Sequence, residues 1–346
     1  MTEDERFMAR CLQLARHGEL TTAPNPMVGA VIVHQGRIIG EGWHRRYGGP
    51  HAEVNAVGSV RPDDEALLPE ATIYVSLEPC SHYGKTPPCA ELLIRKGFKR
   101  VVVGSLDPNE KVAGRGIKML REAGMEVVVG VLEDECSWLN RKFMTFHSIH
   151  RPYITLKWAE SADGFIDRCR ASADEGPAVR FSTPWTQMLV HRLRATHEAI
   201  LVGHHTWELD RPSLTTREWP GKSPQRLVLT AKNSLPATPD GREWLRSADV
   251  ERLLSTALGR HNPSKVFTLP FLEGSSVSSS QAERERGGSL QSLLVEGGAQ
   301  TLQTFIDADL WDEAFIERSD IVLGSGIKAP EMKTDLKGRP VHVNFA

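Results

Sequence analysis

Three side chains with metal-ligand chemistry constrain this chain more than any other feature. His51 lies in "PHAEVNA" (Pro50–Ala56), and Cys80 and Cys89 close the two ends of "CSHYGKTPPC". Zinc is held by neutral imidazole and by thiolate, and a catalytic site keeps three protein ligands and one open position. His51, Cys80 and Cys89 supply that set. Pro50 and the Pro87-Pro88 pair stand where the first turn of a helix starts. His51 and Cys89 are therefore expected near helix N-termini, whose positive dipole ends favour thiolate.

Glu53, two residues past His51, is placed to carry protons between water and a substrate. A histidine–glutamate–cysteine arrangement of this kind is the signature of zinc deaminases acting on nucleobases. The structural alternative closes the site with His82 as a fourth ligand. Structural sites use tighter cysteine spacings, and that reading leaves Glu53 without a role. The rest of the composition narrows the field. At 346 residues two domains are expected, and 40% hydrophobic with 25% charged residues is an ordinary globular balance. A net charge of -2 without a basic stripe argues against a nucleic-acid-editing enzyme. No apolar run reaches the ~18 residues of a membrane span, and "MTEDERFMARC" is unlike a signal peptide. Five cysteines, an odd number, point to a reducing cytoplasm rather than a disulfide framework.

Thr2 and Glu5 have capping-box spacing ahead of a helical pattern that runs to Gly18. "VGAVIV" and "HQGRIIGEG" read as a hairpin, and His51 to Val57 as a helix. Strands "ATIYVSL", "KRVVVGS" and "MEVVVGV" then alternate with helices "CAELLIRKG" and "GIKMLREAG". This predicts an α/β sandwich on a mostly parallel sheet over residues 1–146, closed by one helix, "EDECSWLNRKFMTF". Residues 147–152 read as a linker ending at Pro152. Residues 153–346 repeat the grammar with strands "YITLKWA", "EAILVG", "QRLVLT" and "SLLVEGG" and helices "TPWTQMLVHRLRATH" and "AQTLQTFIDADL". Gly274 to Gly288 is poor in apolar residues and reads as a loop. Cys11 and Cys136 fall on apolar helical positions as core thiols, whereas Cys169 lies in a polar stretch.

"TTAPNPMVGAVIV", "GWHRRYGGPHAEVNA", "SLEPCSHYGKTPPC" and "DPNEKVAGRGI" together resemble the N-terminal half of the bifunctional deaminase/reductases of riboflavin biosynthesis. Eight residues between the cysteines, with "TPPC", is characteristic of that family. The resemblance implies a cytidine-deaminase-like α/β/α domain that replaces the 2-amino group of a 2,5-diamino-6-ribosylamino-pyrimidinone 5′-phosphate by oxygen. It implies His51, Cys80 and Cys89 as ligands of Zn2+ and Glu53 as proton shuttle. Asn25 matches a position on the ribose side of the substrate. His44, His82, Lys85 and Thr86 match the phosphoribosyl and pyrimidine pocket, and Asp107 matches a reader of the pyrimidine's donor edge. On the residues alone, a turn aspartate is the lesser alternative for Asp107 before Pro108.

The resemblance continues through "KWAESADG", "RLRATHEAILVG", "LDRPSLTTR" and "VEGGAQTL" into a dihydrofolate-reductase-like α/β domain using NADPH. It implies Lys157, Asp210 and Glu296 near the hydride-accepting carbon, with Arg194, Leu214, Arg217 and Glu296 contacting substrate. Thr206, Asp210, Gly298, Ala299, Gln300 and Thr301 would contact the cofactor, the last four at a strand–Gly-Gly–helix turn suited to phosphate. A homo-oligomer with a small-molecule pyrimidine ribotide as substrate is the implied working form. Three departures fall in this half: Asp210-Arg211-Pro212 replaces an Asp-Asp-Pro run, "AVRFST" (Ala178 to Thr183) replaces Ser-x-Trp-Ile, and Thr230-Ala231 replaces aspartate–serine. The alternative reading keeps the deaminase and makes the C-terminal half non-catalytic; NADPH binding separates the two.

Overall fold

A computed structural model describes residues 1–83, 87–108, 113–230, 243–246, 290–332 and 336–345. The chain divides into two compact units, Met1–Ser148 and Ile149–Ala346. Lys85, Thr86, Ala231 and the Gly274 to Gly288 stretch lie outside the described residues.

The first unit begins with α1 (Glu3–Ala15), closed by a complete capping box. Glu5 N donates to the Thr2 hydroxyl at 3.2 Å, and Thr2 N donates to the Glu5 carboxylate at 2.8 Å. β1 (Gly29–His34) and β2 (Arg37–Trp43) form a hairpin whose turn, Gln35-Gly36, has φ of 48° and 76°. Positive φ at both turn residues matches the twist of the strands it joins. There follow α2 (Ala52–Gly58), β3 (Thr72–Leu77), α3 (Cys89–Lys96), β4 (Arg100–Ser105), α4 (Arg115–Glu122), β5 (Glu126–Val129), α5 (Glu133–Leu139) and α6 (Arg141–Ile149).

The sheet order is β2-β1-β3-β4-β5. β3, β4 and β5 run parallel and β1 is antiparallel to both its neighbours. Side chains alternate across it. Ile73, Val75, Val101 and Val103 pack with Ala56, Leu93 and Leu120 from α2, α3 and α4. Val31, Tyr74 and Val102 pack with Phe7, Met8 and Cys11 of α1 and Cys136 of α5. The result is an α/β/α sandwich with two apolar layers.

The single closing helix predicted from "EDECSWLNRKFMTF" is two helices. Asn140 leaves helical geometry (φ -102°, ψ 21°), and its buried amide accepts from Met27 N at 2.8 Å and donates to Met27 O at 2.9 Å. Asparagine gives up helix for such backbone bonds readily.

Asp4 ties α1 to the sheet. It accepts from Arg100 through two bonds of 2.8 Å and from the Tyr74 hydroxyl at 2.8 Å. The Arg100 hydrogen bonds hold its carboxyl below the usual carboxylate range. The stability it contributes is full above the unfolded value of about 3.9. It is lost as pH falls through the lower folded value. Asp4→Asn is expected to cost about 1 kcal/mol at pH 7, the upper end for a partly exposed pair. Below pH ~4 that difference shrinks, measurable as converging urea midpoints of the two proteins.

In the second unit β6 (Tyr153–Glu160), β7 (Phe165–Asp167), α7 (Pro184–Ala195), β8 (Ala199–Gly203), α8 (His204–Asp210), β9 (Gln225–Thr230) and β10 (Glu243–Arg246) come first. β11 (Ser292–Val295), α9 (Ala299–Asp307), β12 (Glu313–Arg318), β13 (Ile327–Lys328) and β14 (Val341–Phe345) follow. Seven strands in the order β10-β9-β8-β11-β6-β12-β14 form one sheet, every pair parallel. Ile154, Leu156 and Leu293 face Leu302, Phe305 and Ile306 of α9 on one side. Ile200, Val202, Val228 and Leu294 form the other layer with Leu214. Both faces of a parallel sheet are thus covered. No helix among the described residues is long and apolar enough to cross a membrane.

Candidate active sites

In the first unit the helix starts placed by proline bring the ligand set together. His51 is the N-cap of α2, and Cys89 is the first residue of α3 with Pro88 as N-cap. α2 lies close on β2 because Gly42 has no side chain: a Cβ there would stand 2.3 Å from Ala56 N and 2.7 Å from Ala52 O. Cys80 follows β3, and its sulfur accepts from Cys89 N at 3.3 Å. The Nδ1 of His51 is 3.6 Å from Cys80 Sγ and 3.4 Å from Cys89 Sγ, and all three ligand atoms lie within 4.8 Å of one another. Nitrogen and sulfur donors on a tetrahedral zinc would be roughly 3.5–3.8 Å apart, from bond lengths of ~2.0 and ~2.3 Å. The donor set fits zinc in chemistry and in spacing.

The three ligand groups are linked to one another through hydrogen bonds. A hydrogen bond from the Cys89 thiol, then the His51 imidazole, pulls Cys80 down to the thiolate side, and Cys89 is pushed up in consequence. Glu53 is 3% exposed in the first turn of α2. Burial pushes its carboxyl up to about 7, against the opposing pull of His51. A carboxyl near neutrality can both take and return a proton.

Around the cluster, His44 is buried, with Nδ1 3.0 Å from Pro50 O and Nε2 3.2 Å from Asn25 Nδ2. A carbonyl only accepts, so Nδ1 carries the proton and Nε2 accepts from the Asn25 amide. Burial also pushes the His44 value down, favouring the neutral ring. Asn25 and His44 therefore form one unit beside His51, whose ring meets that of His44 edge-on at 5.5 Å. His82 is exposed and outside the three-ligand cluster. Asp107 is buried just beyond β4. Its backbone N donates to Glu78 at 3.4 Å, and Glu78 also accepts from Gly114, Gly116 and Ile117 N at 2.9, 3.0 and 3.3 Å. Sequence reasoning passed over Glu78. A lone carboxylate between the apolar strand "TIYVSL" and the cysteine loop was the available signal.

In the second unit a cavity of about 1080 Å³ opens at the carboxyl ends of β6, β8 and β11, where parallel sheets bind ligands. Lys157, Thr206, Asp210, Glu296, Gly298, Ala299, Gln300 and Thr301 all line it. The departing segment Ala178 to Ser182 lines it as well. Gly297 and Gly298 have φ of 132° and 71°, and Gly298 is the N-cap of α9. That turn leaves backbone open at a helix N-terminus, which suits a phosphate, and the volume admits a dinucleotide. The cavity is of a size and lining that fit a dinucleotide cofactor.

The remaining expected substrate contacts lie off this lining. Arg194 donates to both oxygens of Glu296, at 2.9 and 2.6 Å, and to Thr215 O at 3.2 Å. Leu214 is 2% exposed and packs in the core with Ile200 and Val228. Arg217 is exposed; its guanidinium donates to Ser213 and to Thr215 Oγ1, the latter at 2.8 Å. Asp210 accepts from Arg170 at 2.5 Å, and Arg170 is held in turn by Asp167 at 2.7 and 2.9 Å. Arg170 and Asp167, both on the cavity wall, were not anticipated.

The fold and these sites define a two-domain enzyme, a zinc-type deaminase unit followed by an α/β reductase unit. The family model described as "Cytidine and deoxycytidylate deaminase zinc-binding region" matches residues 1–105, and the "RibD C-terminal domain" matches residues 152–343. The riboflavin biosynthesis protein RibD of Bacillus amyloliquefaciens is 40% identical over 344 residues, covering 95% of this chain and 87% of the relative. RibD of Aquifex aeolicus is 35% identical over 334 residues, covering 95% and 90%. The crystal structure of a diaminohydroxyphosphoribosylaminopyrimidine deaminase/5-amino-6-(5-phosphoribosylamino)uracil reductase from Thermotoga maritima superposes with a TM-score of 0.75 at 34% identity, covering 98% of this chain and 93% of that one. The chain belongs to the RibD family of bifunctional deaminase/reductases of riboflavin biosynthesis.

Proposed function

We propose that a deaminase domain, residues 1–146 of the first unit, deaminates a 2,5-diamino-6-ribosylamino-pyrimidinone 5′-phosphate at a zinc centre, and that a reductase domain, residues 153–346 of the second, reduces the product's ribosyl chain to ribityl with NADPH. The observation that carries the first half is the convergence of His51, Cys80 and Cys89 beside a buried Glu53. These three residues would hold the metal. When bound, zinc supplies Lewis acidity that makes water a nucleophile at neutral pH. Glu53 takes the proton released by that water, delivers it to the ring nitrogen, and protonates the departing ammonia. Atoms balance as one water in and one ammonia out. The Asn25–His44 pair lines the ribose side, and Asp107, held by Glu78, reads the pyrimidine edge.

In the second unit NADPH, when bound, would supply the hydride that reduces C1′ of the ring-opened sugar. Gly298, Ala299, Gln300 and Thr301 would hold its phosphates at the start of α9, with Thr206 and Asp210 lining the same cavity. Lys157 supplies positive charge and a proton beside the reacting carbon, in the cavity that Glu296 also lines. The geometry favours an active reductase over a non-catalytic domain, because Lys157, Asp210 and Glu296 line one open cavity together with the departing segment Ala178 to Ser182. Five cysteines, none of them in a disulfide, suit a cytoplasmic setting.

Zinc-loaded protein given the diaminopyrimidine ribotide tests this directly, with ammonia and NADPH followed together. Ammonia should appear without NADPH, and NADPH oxidation should require the deaminated product. Ammonia with no oxidation would establish the deaminase-only alternative. No ammonia from folded, zinc-replete protein would remove the assignment of the first site.

A further inference from the structure

β12 runs parallel to β6 with Phe315 opposite Lys157 and Glu317 opposite Ala159. Side chains alternate, so Lys157 and Glu317 share a face of the sheet on diagonal positions. The Lys157 ammonium lies 3.9 Å from Glu317 Oε2, with the side chains 14% and 6% exposed. Ser182, on the cavity wall with Lys157, donates to the same oxygen at 2.7 Å. The other oxygen, Oε1, is buried without a hydrogen-bond partner among the described residues. A buried carboxylate left half satisfied is costly, and an apolar residue at this central strand position would avoid that cost. What the carboxylate does meet is the serine, through a hydrogen bond, and the lysine, as an ion pair, and both line the cavity.

We propose that Glu317 is a positioning residue of the reductase: it stands behind the cavity wall, without reaching the substrate, and its charge fixes the Lys157 ammonium toward the reacting carbon. This rests on Lys157 acting in the reduction, as read above. The role is one of charge and aim. It makes an unusual demand on substitutions, because the isosteric neutral residue and the shorter charged one must rank in a particular order. If Glu317 served packing alone, glutamine would be the better replacement, since it keeps the volume and the bond from Ser182. If it serves to hold an ammonium, aspartate is the better replacement despite its lost methylene.

The test uses the full-length zinc-loaded chain, the deaminated ribotide and NADPH. Glu317→Gln is expected to lower kcat for reduction on the order of 10- to 100-fold, the cost of misplacing a reacting group. Its NADPH affinity, by fluorescence titration, and its ammonia release should stay within about two-fold of wild type, as a loss confined to the reaction step requires. Glu317→Asp should recover most of the lost kcat. Glutamine equal to or better than aspartate, or glutamine at the wild-type rate, overturns the proposal. Lys157→Met, measured alongside, separates the two levels. If it is inactive while Glu317→Gln is fully active, only this inference falls. If it turns over at the wild-type rate, the assignment of Lys157 fails, and Glu317 loses its role with it.

Discussion

Glu53→Gln is expected to reduce ammonia release on the order of 10³-fold, within the range a positioned acid–base group contributes, while zinc content and NADPH-dependent reduction of the deaminated product stay at wild-type levels. The argument has three parts. Glu53 is two residues beyond His51 on the first turn of α2, yet its carboxylate is not among the three clustered ligand atoms. Glutamine keeps the volume and removes the proton carrier, so binding and chemistry separate. Burial already penalises the ionised form and pushes the carboxyl up to about 7. A neutral amide therefore leaves the unit no less stable at neutral pH, because folding no longer has to bury a charge there. Loss of ammonia release with an unchanged melting temperature and full zinc marks a catalytic loss. A fall in zinc content together with activity would instead make Glu53 part of the metal's support and remove it as the proton carrier.

The parts of this molecule that local chemistry dictates were legible from the sequence. Thr2 and Glu5 specify a helix start through two side-chain bonds within four residues, and prolines at 50 and 88 specify where α2 and α3 begin. The metal cluster was legible because two of its three ligands, His51 and Cys89, ride on those starts. What escaped was set by contacts distant in the chain. The break at Asn140 depends on Met27, 113 residues away. β12 was not anticipated because "EAFIER" carries glutamates at two buried positions, Glu313 and Glu317, where a central strand ordinarily shows apolar side chains. Their reason lies on β6 and β14, since Glu313 meets Tyr153 and His342 as Glu317 meets Lys157. Glu78 escaped likewise: its four amide donors come from a loop and helix some thirty to forty residues downstream. Family resemblance found residues that touch ligands, whereas the charges that hold those residues in place needed the fold.

Arg194 is where the two kinds of reading meet, and a double-mutant cycle decides between them. Resemblance makes it a substrate contact, while the structure spends its guanidinium on Glu296, with two bonds and side chains 12% and 7% exposed. Arg194 is on α7 and Glu296 follows β11 at the cavity, so the pair fastens that helix to the strand end that carries a proposed catalytic carboxylate. Removing one partner of a buried pair leaves the other charge uncompensated, at a cost of about 3–5 kcal/mol. Arg194→Met should therefore lower the unfolding midpoint of the second unit sharply and abolish NADPH oxidation, with ammonia release from the first unit as the internal control. Arg194→Met combined with Glu296→Gln should regain most of that stability, because a neutral pair has no charge to strand. It should not regain turnover, because the carboxylate is still missing. A different result follows if Arg194 acts chiefly on the substrate phosphate: the single variant would keep its stability and raise KM for the ribotide alone. Stability restored without activity ties Arg194 to Glu296; stability never lost returns it to the substrate.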